Sequence, residues 1–151
     1  MQVTRFIEIE ASLAEVWSFV SNIENAGTWI SGIKEVEILE RATGPSILGL
    51  KWQETREWMG KDAVEVMWVT DASEPEYYET RAESHGSIYI SRLELDRITA
   101  GTRLTMSFKG QPVTFGAKVL WALTGWMAKK ALRKTIDQDL SDIKGAVEKR
   151  G

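Results

Sequence analysis

The chain has 151 residues, a formal charge of −3 and a pI near 5.3, with no cysteine and one histidine. The length suits a single domain over residues 1–151, able to bury about two-thirds of the surface its unfolded form exposes. The composition excludes disulfides, thiolate catalysis and zinc–cysteine sites, and with His85 as the lone imidazole no metal site and no cofactor is expected. The acidic balance argues against nucleic acid as a partner.

The first nine residues already include Arg5 and Glu8, which leaves no apolar core for a secretory signal, so a cytoplasmic protein is expected. Residues 3–10 alternate apolar and polar, the pattern of a strand with one buried face. Ser12, with Glu15 three residues on, has the spacing of a capping box ahead of Val16, Trp17, Phe19 and Val20, and predicts a short helix. Ser21 or Asn22 suits the cap of a second short helical segment running to Trp29. Alternation returns over residues 34–41.

Residues 47–58, 61–70, 77–84, 87–98 and 102–108 are strand-like, joined by short connections such as Met59-Gly60 and His85-Gly86. Connections this short favour consecutive antiparallel hairpins over crossover helices. From about Pro112 the period changes. Phe115, Val119, Leu123, Trp126 and Met127, then Leu132, Ile136, Leu140, Ile143 and Val147, recur at three and four, which predicts one long helix, with a kink near Gly116 or Gly125. The apolar stretch within residues 113–128 is broken by Lys118 and falls short of the roughly 20 residues that span a bilayer, so no transmembrane segment is expected.

The β-α-α-β6-α order, with Ala11-Ser12-Leu13-Ala14-Glu15-Val16-Trp17 after the first strand, Asn22-Ile23-Glu24-Asn25 leading to Trp29, Ile47-Leu48-Gly49-Leu50-Lys51-Trp52 opening a strand and Leu93-Glu94-Leu95 leading to Gly101-Thr102-Arg103-Leu104, resembles the START-related helix-grip superfamily, and within it the polyketide cyclase and dehydrase branch. The resemblance implies an α+β fold in which a seven-stranded curved antiparallel sheet wraps a long C-terminal helix. It also implies a cavity between sheet and helix that holds lipids, polyketides or other hydrophobic molecules. Within such a fold the residues, not the architecture, decide function.

The strand after the first long loop carries Leu50, Trp52, Glu54, Arg56 and Trp58 at even positions, which reads as its inward face. A carboxylate and a guanidinium placed inside are costly unless paired or hydrogen-bonded. Glu54 and Arg56 are therefore either a rim pair at the cavity mouth or the polar centre of a site. In the second case Arg56 anchors an anionic or carbonyl group while Glu54 orients the ligand or acts as a base. These two are the catalytic candidates.

The expected ligand-binding wall comprises Trp52, Glu54, Arg56, Trp68, Tyr78, Tyr89, Ser91, Leu93, Leu104, Met106 and Phe108 on the sheet, and Val119, Leu123, Trp126 and Met127 on the helix. An apolar wall with a few placed polar groups describes a small-molecule site. Around Trp68 two facings remain open, because Val64, Val66 and Trp68 compete with Met67 and Val69. His85 beside Gly86 reads as a solvated turn residue rather than a catalytic one.

Three functions suit these features: a module binding a small hydrophobic molecule, a cyclase or dehydratase working in the same cavity, and a protein-interaction module with a filled core. Lys129, Lys130, Arg133 and Lys134, following Trp121 and Trp126, read either as a solvated face or as a weak membrane-surface contact. Oligomeric state is not legible in the residues.

Overall fold

A computed structural model describes residues 1–150 of the chain. Seven strands, β1 (Gln2–Ile9), β2 (Ile33–Glu40), β3 (Lys51–Trp58), β4 (Lys61–Ser73), β5 (Tyr77–Ser84), β6 (Ser87–Ile98) and β7 (Gly101–Pro112), form one antiparallel sheet in the order β1-β7-β6-β5-β4-β3-β2. Two α-helices, α1 (Leu13–Val20) and α2 (Phe115–Arg150), and a 3-10 helix (Ile23–Thr28) complete it. The strand run, the two short helical segments after β1 and the terminal helix all follow the expected order.

Local chemistry explains the joints. The Ser12 hydroxyl accepts the backbone N–H of Glu15 at 3.2 Å and starts α1. The β3–β4 and β5–β6 connections are two-residue turns in which Met59 and Gly60, and His85 and Gly86, all have positive φ; that geometry matches the twist of the flanking strands. β3 starts at Lys51, four residues later than the alternation suggests, because Leu50 N–H bonds Ile47 C=O in a turn and Gly49 sits at φ +87°.

The core lies between the concave face of the sheet, α1 and the second half of α2. Ile9, Val16, Leu104, Leu140, Ile143 and Val147 are fully buried there, each such side chain stabilising the fold by about 1.5–3 kcal/mol. The first half of α2 is different. Ala117 is its buried residue and Trp121 is half-buried, while Val119, Leu120, Leu123, Trp126 and Met127 are exposed.

Register fixes which side chains face inward. Opposed residues on antiparallel strands share a face, so pairing of Trp52 with Met67, Glu54 with Glu65 and Arg56 with Ala63, and then of Met67 with Ala82, Ala82 with Tyr89 and Tyr89 with Gly110, marks the concave side. Trp68 pairs with Lys51 and Arg81 and takes the convex side. There the Lys51 ammonium lies 6.0 Å from its ring.

Candidate ligand-binding site

The even positions of β3 face inward, as the alternation predicts, and they carry a connected polar cluster. Trp52 Nε1 donates to Glu54 Oε1 at 3.3 Å, and Arg56 Nε donates to Glu54 Oε2 at 3.1 Å. The other end of the same guanidinium donates through both terminal nitrogens to Asp139 of α2, at 3.4 and 3.1 Å. Arg56 thus ties sheet to helix with a two-pronged bond, the geometry its planar fork suits best.

Burial decides what kind of cluster this is. Glu54 is 8% exposed and Asp139 5%, so the pair is not a rim salt bridge. The arginine side chain is 19% exposed. Burial acts to lower the Arg56 pKa, but the charges of Asp139 and Glu54 outweigh it and hold the guanidinium protonated. Burial also pushes the Asp139 carboxyl above its usual range, an effect that Arg56 offsets only in part. Two carboxylates share one cation in a largely desolvated place.

The other expected wall residues separate into four groups. Trp52, Tyr78, Leu93 and Leu104 are buried in the core. The Tyr78 hydroxyl is already committed, donating to the Val20 carbonyl at the end of α1 at 2.9 Å; burial first, and the Glu54 charge second, push its pKa up and keep it protonated. Tyr89, Ser91, Met106 and Phe108 are half-buried on the concave face. They form the part of the wall that a ligand could touch.

The helix residues correct the expectation. Leu123 and Trp126 are each 70% exposed, and Val119 and Met127 are exposed as well, so none of the four lines the concave face. Apolar spacing picked the stripe with the largest side chains, whereas the sheet-facing side of this half-helix is held by Ala117, Trp121, Ala128 and Leu132. Trp121 stacks on Tyr89 with ring centroids 6.3 Å apart, and Tyr89 in turn meets Phe108 at 5.6 Å. Trp68 is corrected too, since its convex placement removes it from the wall.

Three residues outside the expected wall join the candidate site. Asp139 lies three positions after Ile136 on the buried side of α2, and a lone acid on a buried helical stripe was the available signal. Glu65 stands directly opposite Glu54. Its Oε1 accepts from the Ser84 hydroxyl at 3.0 Å, while Oε2 is buried without a partner. Trp121 is the third, and its aromatic neighbours across the sheet were not legible from spacing.

An open cleft of about 640 Å³ lies at the β3–β4 hairpin end, lined by Trp58, Met59, Lys61, Asp62, Ala63, Val64, Glu65 and His85. Its origin is in the ladder. β4 pairs with β5 only from Met67 onward and β5 ends at Ser84, so the β3–β4 hairpin extends past the β5–β6 turn and leaves a side opening between the two. His85, exposed in that turn, edges the opening and makes no ion pair with a described residue.

A model of the family described as polyketide cyclase / dehydrase and lipid transport matches residues 1–148. Among solved structures, a START superfamily protein from Mycobacterium smegmatis is 21% identical, with 99% of each chain covered and a TM-score of 0.81. A protein from Thermus thermophilus is 12% identical over 100% of this chain and 98% of its own, with a TM-score of 0.80. The di-domain aromatase/cyclase BexL of the BE-7585A biosynthetic pathway is 15% identical, with a TM-score of 0.79, over 98% of this chain and 50% of that one. Among curated proteins, none matches.

Proposed function

Since the chain belongs to the polyketide cyclase, dehydrase and lipid-transport family, we propose that it binds a small hydrophobic molecule against the concave face of its sheet. The molecule lies along Tyr89, Ser91, Met106 and Phe108 and presents a carbonyl or anionic group to Arg56. The observation that carries this reading is the half-buried arginine joined to two buried carboxylates on the same concave face as the half-buried residues Tyr89, Ser91, Met106 and Phe108. A filled interaction module needs no such exposure. The ligand enters through the side opening at the β3–β4 hairpin.

Native mass spectrometry of the purified protein, followed by thermal denaturation with the recovered or a matching hydrophobe, tests this. A ligand at 100 times its Kd raises unfolding free energy by about 2.7 kcal/mol when it binds only the folded state. The Arg56→Met, Glu54→Gln, Asp139→Asn triple variant keeps the cluster neutral and should bind the same ligand at least about tenfold more weakly, the loss of a hydrogen bond to a charged group. If it binds like the parent, Arg56 is not the anchor.

A catalytic role on the same face is the second reading, favoured by the Glu54 carboxylate on the inward face of β3, which Trp52 and Arg56 hold in place. A carboxylate so oriented can take a proton from a substrate, as a cyclisation or dehydration needs, with Asp139 positioning Arg56. Glu54→Gln should then abolish turnover while leaving binding within about threefold, a split between chemistry and affinity read as kcat against KM.

A further inference from the structure

The first half of α2 is amphipathic the wrong way round for a helix packed on a sheet. Phe115 is 84% exposed, Leu123 and Trp126 70% each and Leu120 58%, with Val119 and Met127 beside them. At 3.6 residues per turn these six fall on the side opposite Ala117, Trp121, Ala128 and Leu132, so a continuous apolar stripe points away from the protein. Lys130, Arg133 and Lys134 continue the same side at its C-terminal end, and Lys118 and Lys129 flank it. A continuous exposed apolar stripe rimmed by charge marks an interaction site.

Charge identifies the occupant. Residues 115–136 of α2 carry five Lys or Arg (Lys118, Lys129, Lys130, Arg133 and Lys134) and no Asp or Glu, in a chain whose net charge is −3. A second copy docked through this stripe would bring two sets of these cations together, which opposes a dimer. An apolar stripe carrying tryptophan, collared by Lys and Arg and free of acids, matches a surface that is apolar within and anionic at its rim. We propose that the outward face of α2 between Phe115 and Lys134 is a docking face for an anionic lipid bilayer. The helix lies in the plane of the interface, with Phe115, Leu123 and Trp126 among the acyl chains and the lysines at the headgroups. Thr114, which packs on Gly86, puts the start of the helix next to the turn that edges the side opening, so the docked protein holds that opening close to the membrane.

Flotation with vesicles of phosphatidylcholine, alone or with about one-third phosphatidylglycerol, tests the proposal. The protein should float with the mixed vesicles and not with the neutral ones, and high salt should release it. Leu123→Ser with Trp126→Ser should reduce flotation at least about tenfold without moving the melting curve, because both residues are exposed and lie outside the core. Lys129→Gln with Lys130→Gln, Arg133→Gln and Lys134→Gln should produce a similar loss that disappears at high salt. Quenching of tryptophan fluorescence by brominated lipid should vanish in Trp126→Phe. Failure to float, or equal flotation with neutral vesicles, overturns the proposal. So does a dimer in solution that Leu123→Ser with Trp126→Ser converts to monomer, which would assign the stripe to a second copy.

Discussion

Arg56 is the residue on which the interior depends. With Glu54 and Asp139 both buried, removing the guanidinium strands two carboxylates. Arg56→Met should therefore destabilise the fold by about 3 kcal/mol, the low end for a broken buried pair because the arginine is partly exposed. Neutralising both acids in the same chain should recover most of that loss, which chemical denaturation of the three-residue series would show. Asp139 gives the cluster a pH signature. Its folded pKa is raised above the ordinary 3.8, so the folded state binds this proton more tightly than the unfolded state does. Ionisation then costs stability, and the cost appears as pH rises from 3.8 through the raised value. Asp139→Asn cannot titrate. The stability of the parent relative to this variant should fall across that window, and a difference that is flat or rising with pH would contradict the assignment.

At the scale of elements, α2 is two helices in one. From Leu132 onward its apolar side is core, and Leu140 is 1% exposed. Leu140→Ala should cost about 2–5 kcal/mol, the range for a large-to-small change in a packed interior. Leu123→Ala, on the exposed half, should stay within about 0.5 kcal/mol. What holds that exposed half to the sheet is Trp121, seated where β7 offers no side chain. A Cβ at Gly110 would stand 2.6 Å from Trp121 Cη2 and 3.2 Å from Tyr89 Cδ1. Gly110→Ala should push the indole out and speed hydrogen exchange of the amides in residues 115–128 by about five- to thirtyfold, equivalent to 1–2 kcal/mol of local stability. Amides in residues 136–147 should keep their protection.

For the molecule as a whole, packing is unevenly distributed. One end, built from β1, α1 and the second half of α2, is a closed core. At the other end, Tyr89, Met106 and Phe108 of the sheet and Trp121 of α2 are only half-buried. Packing density thus falls from one end of the sheet to the other, and the less packed end is where a guest would have to be admitted. A hydrophobe added to the protein should raise its melting temperature and change tryptophan emission, because Trp121 stacks on the wall residue Tyr89. The same ligand should leave the protection of Ile143 and Val147 amides relative to global unfolding unchanged.

Much of this was fixed along the chain. The switch from period two to period three-to-four near Pro112, the two-residue turns at Met59-Gly60 and His85-Gly86 and the capping Ser12 set the order and class of the elements, because each depends on neighbours within a few residues. The inward face of β3, with Trp52, Glu54 and Arg56, was legible for the same reason, since strand alternation is a local rule. The facing of Trp68 needed the register with Lys51 and Arg81, which no single strand encodes. Asp139 could be matched to Arg56 only by packing, being 83 residues away in the chain. The side of α2 that meets the sheet was decided by fit: small side chains allow the helix to approach and the Trp121 ring to enter at Gly110, and the larger apolar residues are turned outward. Periodicity locates an apolar stripe, but what the stripe faces is settled by tertiary structure.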